Sequence, residues 1–155
     1  MTLPEDLKQL LHALNEHCVE YLVVGGWAVG LYAEPRSTKD IDIFIRADRL
    51  NSESVFSALT DFGALLVGLS PADFRDYPTS VFQIGHSPVR ADILQSIDGV
   101  GFDEAWRDRT DLMLDGIPVH LISSQHLIRN KLKSGRLQDL ADVEAIREAD
   151  QAQEE

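Results

Sequence analysis

The stretch that decides the fold is Tyr21-Leu-Val-Val-Gly-Gly-Trp-Ala-Val-Gly-Leu-Tyr-Ala-Glu-Pro-Arg-Ser-Thr-Lys-Asp-Ile-Asp-Ile-Phe-Ile45. It parses as a short buried strand (Tyr21–Val24), a Gly25-Gly26 turn, a helical segment over about Trp27–Ala33, and a second apolar strand starting near Asp40. Side chains alternate faces along a strand, so Asp40 and Asp42 project to one side while Ile41, Ile43 and Ile45 pack on the other. Two like charges on one face repel, by about 1 kcal/mol at 4 Å in water and about 4 kcal/mol nearer a protein surface. A chain keeps such a pair in open solvent or around a cation. The core-like flanks favour the cation.

Asp92, in Val89-Arg-Ala-Asp-Ile-Leu94, is a third candidate carboxylate. Its apolar neighbours Ala91 and Ile93 suit a strand residue that points into a cleft. Asp98, Asp103 and Glu104 lie nearby in sequence, but in polar, turn-like contexts that would place them loosely.

A Gly-Gly turn, Asp-x-Asp opening an apolar strand, and a lone carboxylate on a later strand together resemble the polymerase-β-like nucleotidyltransferases. Arg90-x-Asp92, Lys131 and the pair Asp139/Asp142 are similar to the later motifs of AbiEii-type and other small stand-alone bacterial members, several of them toxins. The resemblance runs from about Tyr21 to Ile146. It implies an α/β (α+β) fold, with a small mixed sheet carrying helices mainly on one face and a C-terminal helical pair. It also implies transfer of a nucleoside monophosphate from a nucleoside triphosphate to an acceptor hydroxyl. Asp40, Asp42 and Asp92 would be the catalytic and metal-holding residues for Mg²⁺ or Mn²⁺, and Gly25, Gly26, Arg36, Ser37 and Lys131 the nucleotide contacts. The compact length and the resemblance at Lys131, Asp139 and Asp142 favour an RNA end or protein as acceptor, as in toxin-like members with an antitoxin partner; an antibiotic-type small molecule is the alternative. A non-catalytic relative that binds a nucleotide or a partner protein is the competing class.

Bland readings stand beside these. Asp40 and Asp42 could face water at a strand entry, Gly25-Gly26 could be only a tight turn, and Arg36 and Ser37 ordinary loop residues. Lys131 borders the apolar face of its helix, either snorkelling outward or reaching into the cleft. Asp139 and Asp142 would orient Lys131 or form a solvated acidic face. Trp27 belongs to the core or the turn, or stacks a base, and Cys18 reads as a buried structural thiol. The histidines show no metal-ligand spacing.

The 155 residues suit a single domain, 1–155, with a core over about 1–122 and C-terminal helices over about 123–150. One cysteine rules out an internal disulfide and suits a reducing cytoplasm. The first residues lack the pattern of a signal peptide, and no apolar run approaches the ~20 residues needed to cross a bilayer. The net charge of −12 argues against a long duplex, because phosphate contacts need Lys and Arg. Half of that excess lies in Leu137–Glu155, where seven acids accompany one base. Just before it come Arg129, Lys131, Lys133 and Arg136, a distribution that suits a triphosphate or the tip of an RNA.

Elsewhere, Thr2-x-x-Glu5 has the capping-box spacing ahead of a helix over about residues 4–17. Asn51-Ser-Glu-Ser reads as the capped start of a helix ending before Gly63. Ser70-Pro71-Ala-Asp suits a short helical turn or a loop. Thr79–Ile84 with Val89–Leu94, and Asp111–Leu114 with Ile117–Ile122, read as hairpins, the second turning at Asp115-Gly116. Phe102 to Asp108 gives a helical turn or two. Ser123-Ser124 caps a helix stopped by Gly135, and a last helix covers about Leu137–Ala149 before a frayed end.

Overall fold

The computed structural model describes residues 2–34, 40–86 and 89–154. Its elements run α1 (Glu5–Glu16), β1 (Tyr21–Val24), α2 (Gly25–Tyr32), β2 (Asp40–Ile45), α3 (Arg49–Phe62) and a 3₁₀ turn (Pro71–Phe74). Then follow β3 (Val81–His86), β4 (Val89–Leu94), α4 (Phe102–Arg107), β5 (Thr110–Leu114), β6 (Ile117–Leu121), α5 (Ser124–Ser134) and α6 (Leu137–Glu154). Among the described residues the strands form one mixed sheet, ordered β3-β4-β2-β1-β6-β5. β2 runs parallel to β4 and antiparallel to β1, while β3 and β5 close the sheet as hairpin partners of β4 and β6.

The alternation expected for β2 is present: Ile41, Ile43 and Ile45 are buried, and Asp40 and Asp42 are half-buried. The apolar set of β4 joins them through Ala91 and Ile93, which face Ile41 and Ile43 in register. Helices α1 and α3 pack on each other and α1 on β6. Helix α2 lies on β1 and β2 and meets α5 and α6, which form the C-terminal pair. No helix among the described residues is long and apolar enough to cross a membrane.

Four local expectations change. Helix α1 has Pro4 at its N-cap and no side-chain cap, so the Thr2/Glu5 box does not form; Glu5 and Asp6 in the first turn complement the helix dipole instead. Helix α3 starts earlier than Asn51, capped by Asp48, whose carboxylate accepts from Asn51 N at 2.7 Å. The buried Asn51 amide is used elsewhere, bonding Glu20 N, Glu20 O and Arg46 O at 2.8–3.0 Å and tying the start of β1 to the end of β2. Helix α6 continues to Glu154, since Gln, Ala and Glu beyond Ala149 all favour helix. Cys18 is exposed, because its turn position at φ 54° between α1 and β1 points it outward.

Candidate active site

Strand register sets the site. Asp40 lies beside Arg90, and Asp42 beside Asp92, across the parallel β2–β4 pair. Across β4–β3, Asp92 faces Gln83 and Arg90 faces Gly85. Register partners share a face. One face of the sheet therefore carries two rows, Asp40–Arg90–Gly85 and Asp42–Asp92–Gln83, while the isoleucines hold the other face in the core.

Within this grid the charges are paired where they can be. Arg90 Nε donates to Asp40 Oδ1 at 3.3 Å, and Gln83 Nε2 donates to Asp92 Oδ1 at 3.1 Å. Gln83 Oε1 accepts from Arg90 Nη1 at 3.5 Å, so one chain of contacts runs from Asp40 to Asp92. Asp42 is the strained member. Burial first, then the charge and hydrogen-bonding reach of Asp92, push its carboxyl up to about 6; Asp40 adds to the rise and Lys131 opposes it. The rise is what burial beside a second carboxylate does to an acid, by disfavouring its charged form.

Gly25 explains why Asp42 is so enclosed. It sits at φ 65° as the first residue of α2, and a Cβ there would run into Asp42 Oδ2. Only glycine allows the backbone to turn from β1 into α2 in contact with that carboxylate. Gly25 and Gly26 with Asp42 line a cleft of about 310 Å³, whose far wall is Lys131, Arg136, Asp139 and Asp142.

In that wall Lys131 does not snorkel outward. The side chain is buried, 8% exposed, with Nζ 3.2 Å from Asp139 Oδ1 and 3.2 Å from Asp142 Oδ2. Asp139 and Asp142 are buried as well, at 1% and 4%, and are not a solvated face. The Arg136 guanidinium, 2.8 Å from Asp139 Oδ2, and then Lys131 hold the Asp139 carboxyl below its usual range. Gln138 donates to Asp142 Oδ1 at 2.9 Å. The C-terminal motif is thus one charged cluster across the α5–α6 turn.

Other expected residues lie elsewhere. Asp103 pairs with Arg46, Glu104 with Arg129, and Asp98 accepts from Ser134. Arg36 and Ser37 lie outside the described residues. Trp27 is partly buried against the core. Among the described residues, no three His, Cys, Asp or Glu side chains already stand as a metal-holding group. The donor set of Asp42 and Asp92 nevertheless suits a hard divalent cation, since it offers carboxylate oxygens from two register neighbours whose like charges a cation would compensate. Gln83 was missed in the sequence. The signal was the hairpin register, which sets Gln83 opposite Asp92 once the turn length is known.

Several solved structures share this fold. The lincomycin-bound lincosamide antibiotic adenylyltransferase LnuA aligns at TM-score 0.59 and 18% identity, over 94% of this chain and 97% of that one. A putative nucleotidyltransferase from Thermotoga maritima, TM1012, aligns at 0.60 and 15%, over 89% and 88%. ANT(2'')-Ia in complex with adenylyl-2''-tobramycin aligns at 0.56 and 17%, over 94% and 86%. The fold is that of the nucleotidyltransferases. Residues 1–151 match the family described as "Nucleotidyltransferase of unknown function (DUF6036)", and the chain belongs to that family of transferases. No curated protein matches the chain.

Proposed function

We propose that this chain moves a nucleoside monophosphate from a nucleoside triphosphate to the hydroxyl of a small-molecule acceptor, with Mg²⁺ or Mn²⁺ held by Asp42 and Asp92 and with Asp40 as the third candidate ligand. One observation carries the reading: Asp42, which has Asp92 as its register neighbour, lines a cleft together with Gly25 and Gly26 at the start of α2 and with Lys131. When bound, the cation supplies neutralisation of phosphate charge and polarisation of its oxygens.

The chain's own residues do the rest. Backbone N–H groups at Gly25 and Gly26, at a helix start, suit phosphate oxygens. Lys131 contributes positive charge to the same cleft, from a position fixed by Asp139 and Asp142. Asp92 orients the acceptor hydroxyl and takes its proton. The acceptor oxygen then bonds to the α-phosphorus, the bond to the bridging oxygen breaks, and pyrophosphate leaves. Positioning and charge compensation supply most of the rate in such transfers. By resemblance, Arg36 and Ser37 join the phosphate contacts.

Two observations support a small acceptor. Arg129, Lys131 and Arg136, three of the four basic residues that suited an RNA tip, are taken up by Glu104, Asp139 and Asp142. The likeness to LnuA and ANT(2'')-Ia, whose structures hold lincomycin and adenylylated tobramycin, points the same way. The second reading is a toxin-like member of AbiEii type, acting on RNA or protein with an antitoxin partner. Its support is the joining of Lys131, Asp139 and Asp142, the residues of that resemblance, into one cluster. Pure protein incubated with Mg²⁺ or Mn²⁺, each α-labelled triphosphate and separate pools of aminoglycosides, lincosamides, total RNA and protein decides between them. Label in a small-molecule product is expected. Label only in RNA or protein selects the second reading, and no pyrophosphate release from any combination refutes both.

A further inference from the structure

We propose that Gln83 is a positioning residue for this site: its amide N–H sets the rotamer of Asp92 and, through its carbonyl, keeps Arg90 on Asp40 and off Asp92. The inference rests on the nucleotidyl-transfer reading above.

The argument is geometric. Asp92 has two cross-strand neighbours on its face, Asp42 on one side and Gln83 on the other. The bond from Gln83 Nε2 occupies Asp92 Oδ1 at 3.1 Å. That leaves the second oxygen of Asp92 for Asp42, a cation or an acceptor proton. A neutral amide does this without changing the charge of the pair. A basic residue there would compensate Asp92 and compete with a metal, and an acid would add a further repelling charge.

The other end of the same amide matters for Arg90. Arg90 sits between Asp40 and the bare Gly85 in its row, and so has no side chain to lean on at Gly85. Arg90 lies two residues from Asp92 on the same strand and face, so the two side chains are neighbours along the strand. The contact to Gln83 Oε1 and the bond to Asp40 Oδ1 hold its guanidinium away from Asp92. Without Gln83, only the 3.3 Å bond to Asp40 restrains Arg90 from neutralising Asp92 and occupying the charge a cation needs. Groups that orient a metal-holding side chain typically change metal affinity or activity by about 10–100-fold when removed.

Gln83 is exposed on an edge strand, so its loss leaves the core untouched. The test uses the full chain with Gln83→Ala and with Gln83→Glu, which keeps the length and loses the donor. Three quantities are read: Mn²⁺ affinity of the metal-free protein by electron paramagnetic resonance, kcat and KM for the triphosphate, and the urea midpoint. Gln83→Ala is expected to weaken Mn²⁺ binding and lower kcat about tenfold each, with the triphosphate KM within twofold and the urea midpoint unchanged. Gln83→Glu is expected to turn over no faster than Gln83→Ala. Mn²⁺ affinity within twofold of the parent in Gln83→Ala overturns the proposal whatever turnover does. So does unchanged kcat, recovery of kcat by Gln83→Glu, or losses that track a fallen midpoint. If the parent protein transfers nothing, the transferase reading fails by itself, and the Mn²⁺ measurement still decides the role of Gln83.

Discussion

Replacing Asp42 by Asn should make the metal-free protein more stable at neutral pH, an unusual outcome for a partly buried residue beside a core strand. The Asp42 carboxyl rises from the ordinary 3.8 to about 6, chiefly through burial and then through Asp92. Each pH unit of such a difference is worth about 1.4 kcal/mol, so ionised Asp42 costs the fold at most about 3 kcal/mol. Part of that is screened because the side chain is not fully enclosed, which brings the expected gain to about 1.5–3 kcal/mol. For a chain of this length that is a rise of about 3–12 °C in Tm.

The pH dependence fixes the sign. Below about 3.8 the carboxyl is protonated in both folded and unfolded chains and costs nothing. Between 3.8 and about 6 the folded protein holds the proton and the unfolded one does not, so stability attributable to Asp42 falls as pH rises. Above about 6 the full cost is present and constant. Other carboxyls, such as Asp103, Asp111 and Asp139, are lowered and contribute in the opposite direction. The informative quantity is therefore the difference between parent and Asp42→Asn. Urea unfolding in EDTA at half-unit steps from pH 4 to 8 should show that difference near zero at pH 4, growing to its plateau by about pH 7. A difference that is flat with pH, or an Asn variant less stable than the parent at pH 8, would falsify the account of Asp42 as a crowded carboxylate with a raised pKa.

Three further outcomes follow from the same geometry. Adding Mg²⁺ or Mn²⁺ should raise Tm of the parent at pH 8 by mass action on the folded state and do so much less for Asp42→Asn; equal gains by scanning calorimetry would place the cation elsewhere. Gly25→Ala puts a Cβ into Asp42 at a left-handed backbone position, where the strain alone costs about 1–2 kcal/mol. Both its urea midpoint and its turnover should fall, and a variant with parental values of both would show that the strand-to-helix turn has slack. Lys131→Met leaves two buried aspartates without their shared cation, costing about 3 kcal/mol as such broken pairs do. It should raise the triphosphate KM more than it lowers kcat. Unchanged KM and kcat would leave Lys131 as a structural tie alone.

The elements most legible in the sequence were those whose signals are local. Asp115-Gly116 turns the β5–β6 hairpin with both residues at positive φ, and Ser123 and Gly135 bound α5 as cap and stop. The alternation of β2 alone puts the aspartates and isoleucines on opposite faces. Where a side chain had a distant partner, local reading misassigned it. Asn51 has the chemistry of a cap, but its amide ties β1 to β2, and Asp48 took the cap. Cys18 has the composition of a core residue and the backbone of a turn, and the turn prevailed.

The same division runs through the site. Asp40 and Asp42 share a strand, so their common face was a matter of counting by two. Asp92 was legible only as a type of residue in a type of context, because its place beside Asp42 depends on the β2–β4 register, fifty residues apart in the chain. For Lys131, Asp139 and Asp142 the sequence leaves two readings, aspartates that orient the lysine or a solvated acidic face, since nothing in their spacing shows that the α5–α6 turn folds them together. Once folded, their charges must balance inside the protein. Arg129 and Arg136 stay exposed but are paired with Glu104 and Asp139, and Lys131 is buried between two aspartates. The stretch therefore offers fewer unpaired cations than its composition suggests, which fits the proposed triphosphate better than a polyanion that needs many of them.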